Sequence, residues 1–365
     1  MKSYSKWMAD SIIAKNINLT DHWGYEYGLT LDGIAEVYKN TKDKKYLDFI
    51  IKTMDHFICD DGTIDGYHLD EYNLDHLNNG KVLITLYKET GNEKYKKALD
   101  ILREQLNTHP RTEENVFWHK KMYPHQIWLD GLYMGATFYA KYIKEFGPKS
   151  DFDDVTTQFI MCEKNLKDEK TGLLYHAFDE AKKQIWADKK TGLSPHFWGR
   201  SMGWYVMALA DTLEVLPDDH KDRPKLIDIF NNCIQALLKV QDKESHVWYQ
   251  VLDEPTRKGN YLEASGSSMI VYALLKGTRK GYLPEILKET AKQAYIGLID
   301  EFILETKTGL INLNKICSVA GLGGKDQRDG SFTYYISEPI VSNEPKGLGP
   351  FLLASAEYEL QFKSE

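Results

Sequence analysis

Six times along the chain, a glycine or polar residue opens an apolar segment rich in small residues and tyrosine. The copies run over 28–38, 75–87, 130–139, 200–209, 263–273 and 347–356. Between them lie Lys- and Glu-rich amphipathic segments, roughly 3–16, 44–58, 93–107, 151–165, 222–241 and 285–304. Tyr46, Leu47, Ile50, Ile51 and Met54 keep the spacing of one helical face, as do Ala98, Leu99, Leu102 and Leu106. Gly91 stands where a helix C-cap needs one. A repeat of this length cannot bury its apolar face alone, so the copies must stack. Six buried helices alternating with six amphipathic ones predict an all-α (α/α)6 barrel with two concentric rings. Small residues let the inner helices approach closely. The runs most suited to strands are Trp186 and its neighbours, Val247–Val251 and Ser331–Ile336. They are expected as hairpins or loops at the rim. No Pro/Ser-rich linker divides the chain, so one domain over 1–365 is expected.

In such a ring the inner helices run parallel, and their N-termini meet at one end. Asp75, Asp130, Arg200 and Glu263 open four of them and are expected to face one cavity, whose helix ends favour anions. Asp130, flanked by Trp128, Leu129 and Leu132, should lose solvation and keep a proton, as a general acid must. Asp75 would be a second carboxylate. The alternative for either is a plain N-cap. His119 and His176 precede inner segments and are further polar candidates, with His125 and His196 weaker. A single histidine can equally be a satisfied structural group. The stretch His196–Trp204 gathers Trp198, Arg200 and Trp204 at the mouth of the fourth inner helix. A guanidinium fork suits a carboxylate and an indole suits a sugar face. The competing reading is packing, with Asp75 or Glu263 as the internal partner of Arg200.

Composition narrows the field. A net charge of −8 argues against a nucleic-acid scaffold. The four cysteines, Cys59, Cys162, Cys233 and Cys317, are far apart and offer no zinc spacing. Free thiols suit a cytoplasmic location. No apolar run is long enough to span a membrane, and the N-terminal segment lacks the apolar core of a secretory signal.

These motifs resemble the unsaturated rhamnogalacturonyl hydrolases of glycoside hydrolase family 105, relatives of the unsaturated glucuronyl hydrolases of family 88. The resemblance covers nearly the whole chain. It rests on Asn73–Lys81, Phe117–Lys120, Trp128–Met134, Phe197–Trp204 and Ile336–Pro339. It implies an (α/α)6 barrel without metal or organic cofactor, and an unsaturated pectin-derived di- or oligosaccharide as partner. It implies Asp130 as catalytic acid/base and Asp75 as the second essential carboxylate. His119, Lys120, His176, Trp198, Arg200 and Trp204 fall at matched positions lining the sugar subsite. Two segments depart from the pattern. Glu113–Val116 stands in place of a Gly-rich turn, and Ala136-Thr137 in place of a proline. A family 88 hydrolase of glycosaminoglycan fragments, another (α/α)6 sugar enzyme such as an epimerase or an inverting glycosidase, and a non-catalytic helical-repeat module are the other readings. No nucleic acid or membrane partner is expected, and the chain is expected as a monomer or weak dimer.

Overall fold

The computed structural model describes residues 2–362. Amphipathic helices form the outer ring: α1 (Tyr4–Ala14), α3 (Lys44–Met54), α5 (Glu93–Thr108), α8 (Phe152–Leu166), α10 (Arg223–Lys239) and α12 (Leu287–Phe302). The inner ring comprises α2 (Tyr25–Thr41), α4 (Gly80–Thr90), α6 (Leu129–Gly131) continued by α7 (Thr137–Phe146), α9 (Gly199–Val215), α11 (Ala264–Arg279) and α14 (Pro345–Phe362). Each inner helix packs on the next, and α14 closes the ring against α2. Burial separates the rings. Helix α9 is buried without interruption from Gly199 to Leu213. Helix α10 buries only a stripe at Leu226, Ile229, Phe230, Cys233, Ile234, Ala236 and Leu237, the pattern of an amphipathic surface helix.

Local chemistry sets the boundaries. Gly91 ends α4 at φ +66°, and Asn92 then caps α5 by accepting from the Lys94 amide at 3.1 Å. Glu263 caps α11, accepting from the amides of Ser265 at 3.1 Å and Gly266 at 2.7 Å. Gly266 lets α11 touch α9, because a Cβ there would lie 2.8 Å from the carbonyl carbon of Gly199. The six C-terminal ends converge as well. Lys39, Lys88, Lys144, Glu214, Lys276 and Glu357, one from each inner helix, line a cavity of about 440 Å³. The inner helices are therefore parallel.

The strands are three short antiparallel pairs: β1 (Gln126–Trp128) with β2 (Ala177–Asp179), β3 (Ile303–Glu305) with β4 (Ile311–Leu313), and β5 (Ile316–Cys317) with β6 (Ile340–Val341). The expected extended segments differ. Trp186 lies in a turn, and Val247–Val251 makes only isolated bridges, Tyr249 with Leu262 and Val251 with Trp198. Ser331–Ile336 is corrected outright: Phe332–Ser337 forms helix α13. The Ser331 hydroxyl caps it from the Tyr334 amide at 3.1 Å. Its apolar payload sits at Phe332 and Tyr335, three apart, so one turn buries both rings. No helix among the described residues is long and apolar enough to cross a membrane.

Candidate active site

The two carboxylates are carried on different local frames. Asp75 does not open its inner helix; it lies in a 3-10 turn, Leu74–Leu77, before α4 begins at Gly80. The Leu74 amide donates to the His119 carbonyl at 3.1 Å, and Asn73 bridges Lys120. That pairing lays Asp75 beside His119 and Lys120. Asp130 lies in the first turn of α6, directly after β1. Its neighbour Leu129 donates its amide to the carbonyl of His176 at 3.2 Å, beside the β1–β2 pair. That contact brings Asp130 next to His176. Neither Asp is an N-cap: Asn73 caps the 3-10 turn, and α6 has no side-chain cap.

Their electrostatic settings differ. Asp75 Oδ2 lies 2.6 Å from Lys120 Nζ, and Asp75 Oδ1 lies 3.6 Å from His119 Nε2. Burial opposes the charge on Asp75, but Lys120 and His119 outweigh it and hold the carboxyl below its usual range. Burial likewise opposes the charge on Lys120, and Asp75 overcomes it, raising the ammonium pKa. His119 is pushed down to about 4 by burial, so its imidazole is neutral near neutrality. Asp130 forms no ion pair with a lysine or arginine among the described residues. Its Oδ2 is buried without a hydrogen bond, 3.5 Å from His176 Nε2. The side chain keeps 13% exposure, so Oδ1 is the oxygen open to a ligand.

Aromatic rings enclose both histidines. Trp128 stacks on His119 at 4.8 Å and on Tyr123 at 5.2 Å, with His176 against its edge. Trp198 covers His176 at 4.7 Å and donates Nε1 to Gln250 at 3.1 Å. Arg200 is buried on α9. Its Nε donates to Ser265 Oγ at 2.6 Å, Nη2 donates to the Cys317 carbonyl, and Glu263 Oε1 stands 3.7 Å away. The packing partner open in the sequence is therefore Glu263, not Asp75. Glu263 is spent on its own cap, on Cys317 and on Arg200, rather than facing the cavity as a free carboxylate. Burial opposes the Arg200 charge, and Glu263 sustains it. Trp204 is fully buried, packed on Tyr133 at 4.9 Å and edge-on to Tyr25 at 6.1 Å. The stretch Trp198–Trp204 is thus a buried floor.

Sequence reasoning missed Tyr25, Tyr123 and Tyr335. Tyr25, the first residue of α2, feels Asp75, Arg200 and Asp130 together. Its position at an inner-helix N-terminus was the available signal. Tyr335 contacts His176 from α13, an element whose helical state the sequence hid. The two departures have local explanations. Asn115 takes φ +67° in place of a glycine, a conformation asparagine tolerates, and Glu114 ties that turn to Lys164 and Asn165. Thr137 follows a π-helical turn, Leu132–Ala136, and its hydroxyl donates to the Tyr133 carbonyl. Lys81 Nζ reaches that carbonyl at 3.4 Å and Thr137 Oγ1 at 3.2 Å.

Two groups among the described residues have the spacing of metal ligands, Asp153/His220/Asp222 and His196/Asp253/Glu254. Each already holds a cation, Lys221 on Asp153 and Arg257 on Glu254. Neither includes Asp75 or Asp130.

The family model described as Glycosyl Hydrolase Family 88 matches residues 1–362. A solved glycoside hydrolase from family 105 of C. acetobutylicum ATCC 824 is 80% identical, covering 98% of this chain and 100% of its own, with a TM-score of 0.98. A structure titled as a possible family 105 member from Salmonella enterica is 26% identical over 93% of this chain and 84% of its own, with a TM-score of 0.77. The unsaturated rhamnogalacturonyl hydrolase YesR of Bacillus subtilis (strain 168) is 28% identical over 272 residues, 73% of this chain and 74% of that protein.

Proposed function

The chain belongs to glycoside hydrolase family 105, within the group matched by the Family 88 model, and from that membership we propose that it releases a Δ4,5-unsaturated galacturonyl residue from the non-reducing end of lyase-generated rhamnogalacturonan oligosaccharides. The similarity to YesR supports the substrate class. One observation carries the chemistry: of the two carboxylates, Asp75 is engaged by Lys120, whereas Asp130 keeps one oxygen open and forms no ion pair with a lysine or arginine among the described residues. Displacement at C1 employs two working carboxylates. Hydration of an enol ether needs a single proton donor and acceptor.

In this reading Asp130 protonates C4 of the unsaturated ring. Positive charge develops at C5 and the ring oxygen. Water, deprotonated by the same carboxylate, adds at C5, and the hemiketal opens with loss of the glycosidic bond. Asp75, kept ionised by Lys120, orients the water or a sugar hydroxyl. His119, Lys120 and His176 form the polar wall. Trp198, Arg200 and Trp204 support the subsite from beneath. The parallel N-termini of the inner helices supply positive potential for the uronate carboxylate, so no free cation is required. One domain over 1–365 and a cytoplasmic location belong to the same proposal; Met1 and residues 363–365 lie outside the described residues.

Asp130→Asn should lower kcat by about two orders of magnitude or more and leave the thermal midpoint nearly unchanged. The measurement is loss of the unsaturated uronate's ultraviolet absorbance, over a panel of lyase-generated disaccharides. Turnover near the wild-type rate in that variant would falsify the assignment of Asp130. Preference for glycosaminoglycan-derived disaccharides would overturn the proposed substrate.

A further inference from the structure

A buried hydroxyl fixes which face of His176 meets Asp130. Tyr335 is fully buried on α13. Its hydroxyl lies 2.8 Å from His176 Nδ1, and no other partner meets that oxygen among the described residues. A buried O–H without an acceptor loses its water partner and gains none in return. The phenolic proton therefore points at Nδ1, which must offer its lone pair. A neutral imidazole carries one proton, so that proton resides on Nε2. Nε2 faces Asp130 Oδ2 at 3.5 Å, and both atoms are buried without another hydrogen bond. The opposite tautomer would set a bare nitrogen lone pair against a carboxylate oxygen and strand the phenolic proton.

The ring has little freedom to escape this arrangement. Trp198 lies against one side at 4.7 Å and Trp128 meets it edge-on at 5.2 Å. Tyr335 is itself held: its carbonyl accepts from Gln250 Nε2 at 3.1 Å, the same glutamine that receives the Trp198 indole.

We propose that Tyr335 is a positioning residue that acts through His176: by donating to Nδ1 it holds the imidazole as the Nε2–H tautomer, which donates to Asp130 Oδ2 and confines the working lone pair and proton to Oδ1, the oxygen left open to a ligand. The 3.5 Å separation shortens to a hydrogen bond when ligand seats Asp130, as catalytic contacts do on complex formation. The inference rests on the reading of Asp130 as the reacting carboxyl, but its central claim concerns a tautomer and is measurable without turnover.

The test uses the full chain labelled with ¹⁵N-histidine, with the His176 signals assigned by their loss in His176→Gln. Long-range ¹H–¹⁵N correlation should show a protonated Nε2 and an unprotonated, hydrogen-bonded Nδ1 in the wild type. Tyr335→Phe removes one oxygen from a buried ring. It should shift the Nδ1 resonance, mix the tautomers, and lower kcat about tenfold to a hundredfold, the range expected when a group orienting a functional imidazole is lost. KM should change by less than about threefold, a split that general loosening of the site would not give. A wild-type spectrum with the proton on Nδ1 overturns the proposal, as does Tyr335→Phe with unchanged kcat. The wild-type spectrum decides the tautomer even if the variant fails to fold. Failure of the wild type on every unsaturated disaccharide would sink the proposed activity, while the spectrum would still decide the tautomer.

Discussion

Lys120 and Asp75 show at the residue scale how a site is held together. Their 2.6 Å contact is largely shielded from water, with the side chains 21% and 12% exposed, so removing one partner leaves the other poorly compensated. Lys120→Met should destabilise the protein by about 1–3 kcal/mol, and Asp75→Asn in the same chain should restore part of that loss. Urea unfolding of the two single variants and the double variant measures the coupling; strictly additive effects would show that the pair is not coupled. The buried histidines make a pH prediction. His109 and His119 both titrate near 4 because burial disfavours their charged forms. A folded value below the unfolded one, about 6.5, means that the unfolded chain takes up protons first. Stability is thus intact above about 6.5 and falls as pH drops towards 4, by about 1.4 kcal/mol per pH unit for each histidine. Asp75, held below its usual range, adds a loss only in stronger acid, as pH falls through its folded value. Urea unfolding across this range checks the slope, and His109→Gln should flatten it. At this scale the sequence singled out Asp75, Asp130, His119 and His176, and the fold brings each carboxylate beside one of the two histidines. It left open who pairs with whom. Lys120 meets Asp75 only because the chain between Asn73 and Lys120 folds back into one bridge.

At the scale of elements, close approach and local irregularity decide what the helices present. Helices α9 and α11 meet where Gly266 faces the backbone of Gly199 and Arg200. Gly266→Ala inserts a methyl 2.8 Å from a backbone carbon, and backbone cannot yield as a side chain can. The expected cost is about 1–3 kcal/mol, read as a lower urea midpoint. A neutral result would mean that α11 shifts freely. The small residues that permit such contacts were plain in the sequence and marked the inner helices. The π-helical turn after Asp130 was not. Its extra residue arises where the Thr137 hydroxyl and Lys81 both reach the Tyr133 carbonyl, a contact between two inner helices. Helix α13 was hidden for a related reason. Its aromatic and β-branched composition suits a strand, and the burial of Phe332 and Tyr335 on one side, with the Ser331 cap, decides for a helix.

Across the whole molecule, the two ends of the barrel have different work. The N-terminal end of the inner ring gathers Tyr25, Asp75, Asp130 and their histidines. A cavity of about 440 Å³ opens at the C-terminal end, where helix dipoles favour cations and lysines abound. There Lys276 joins Asp211 and Glu214, both at 2.7 Å, and burial is outweighed so that both carboxyls sit below their usual ranges. Lys276→Met should cost about 3–5 kcal/mol by stranding Asp211 in the interior, yet leave kcat per folded molecule unchanged. A parallel loss of kcat would show that the two ends are coupled. The sequence by itself determined the alternation of rings and the parallel inner helices, because helical periodicity and small-residue spacing are local properties of the chain. Only the tertiary structure decided that Arg200 answers to Glu263, that Lys120 claims Asp75 while Asp130 stays open, and that Tyr335 reaches His176. Those contacts join residues far apart in the chain, and which charge or lone pair meets which is fixed by how the rings close.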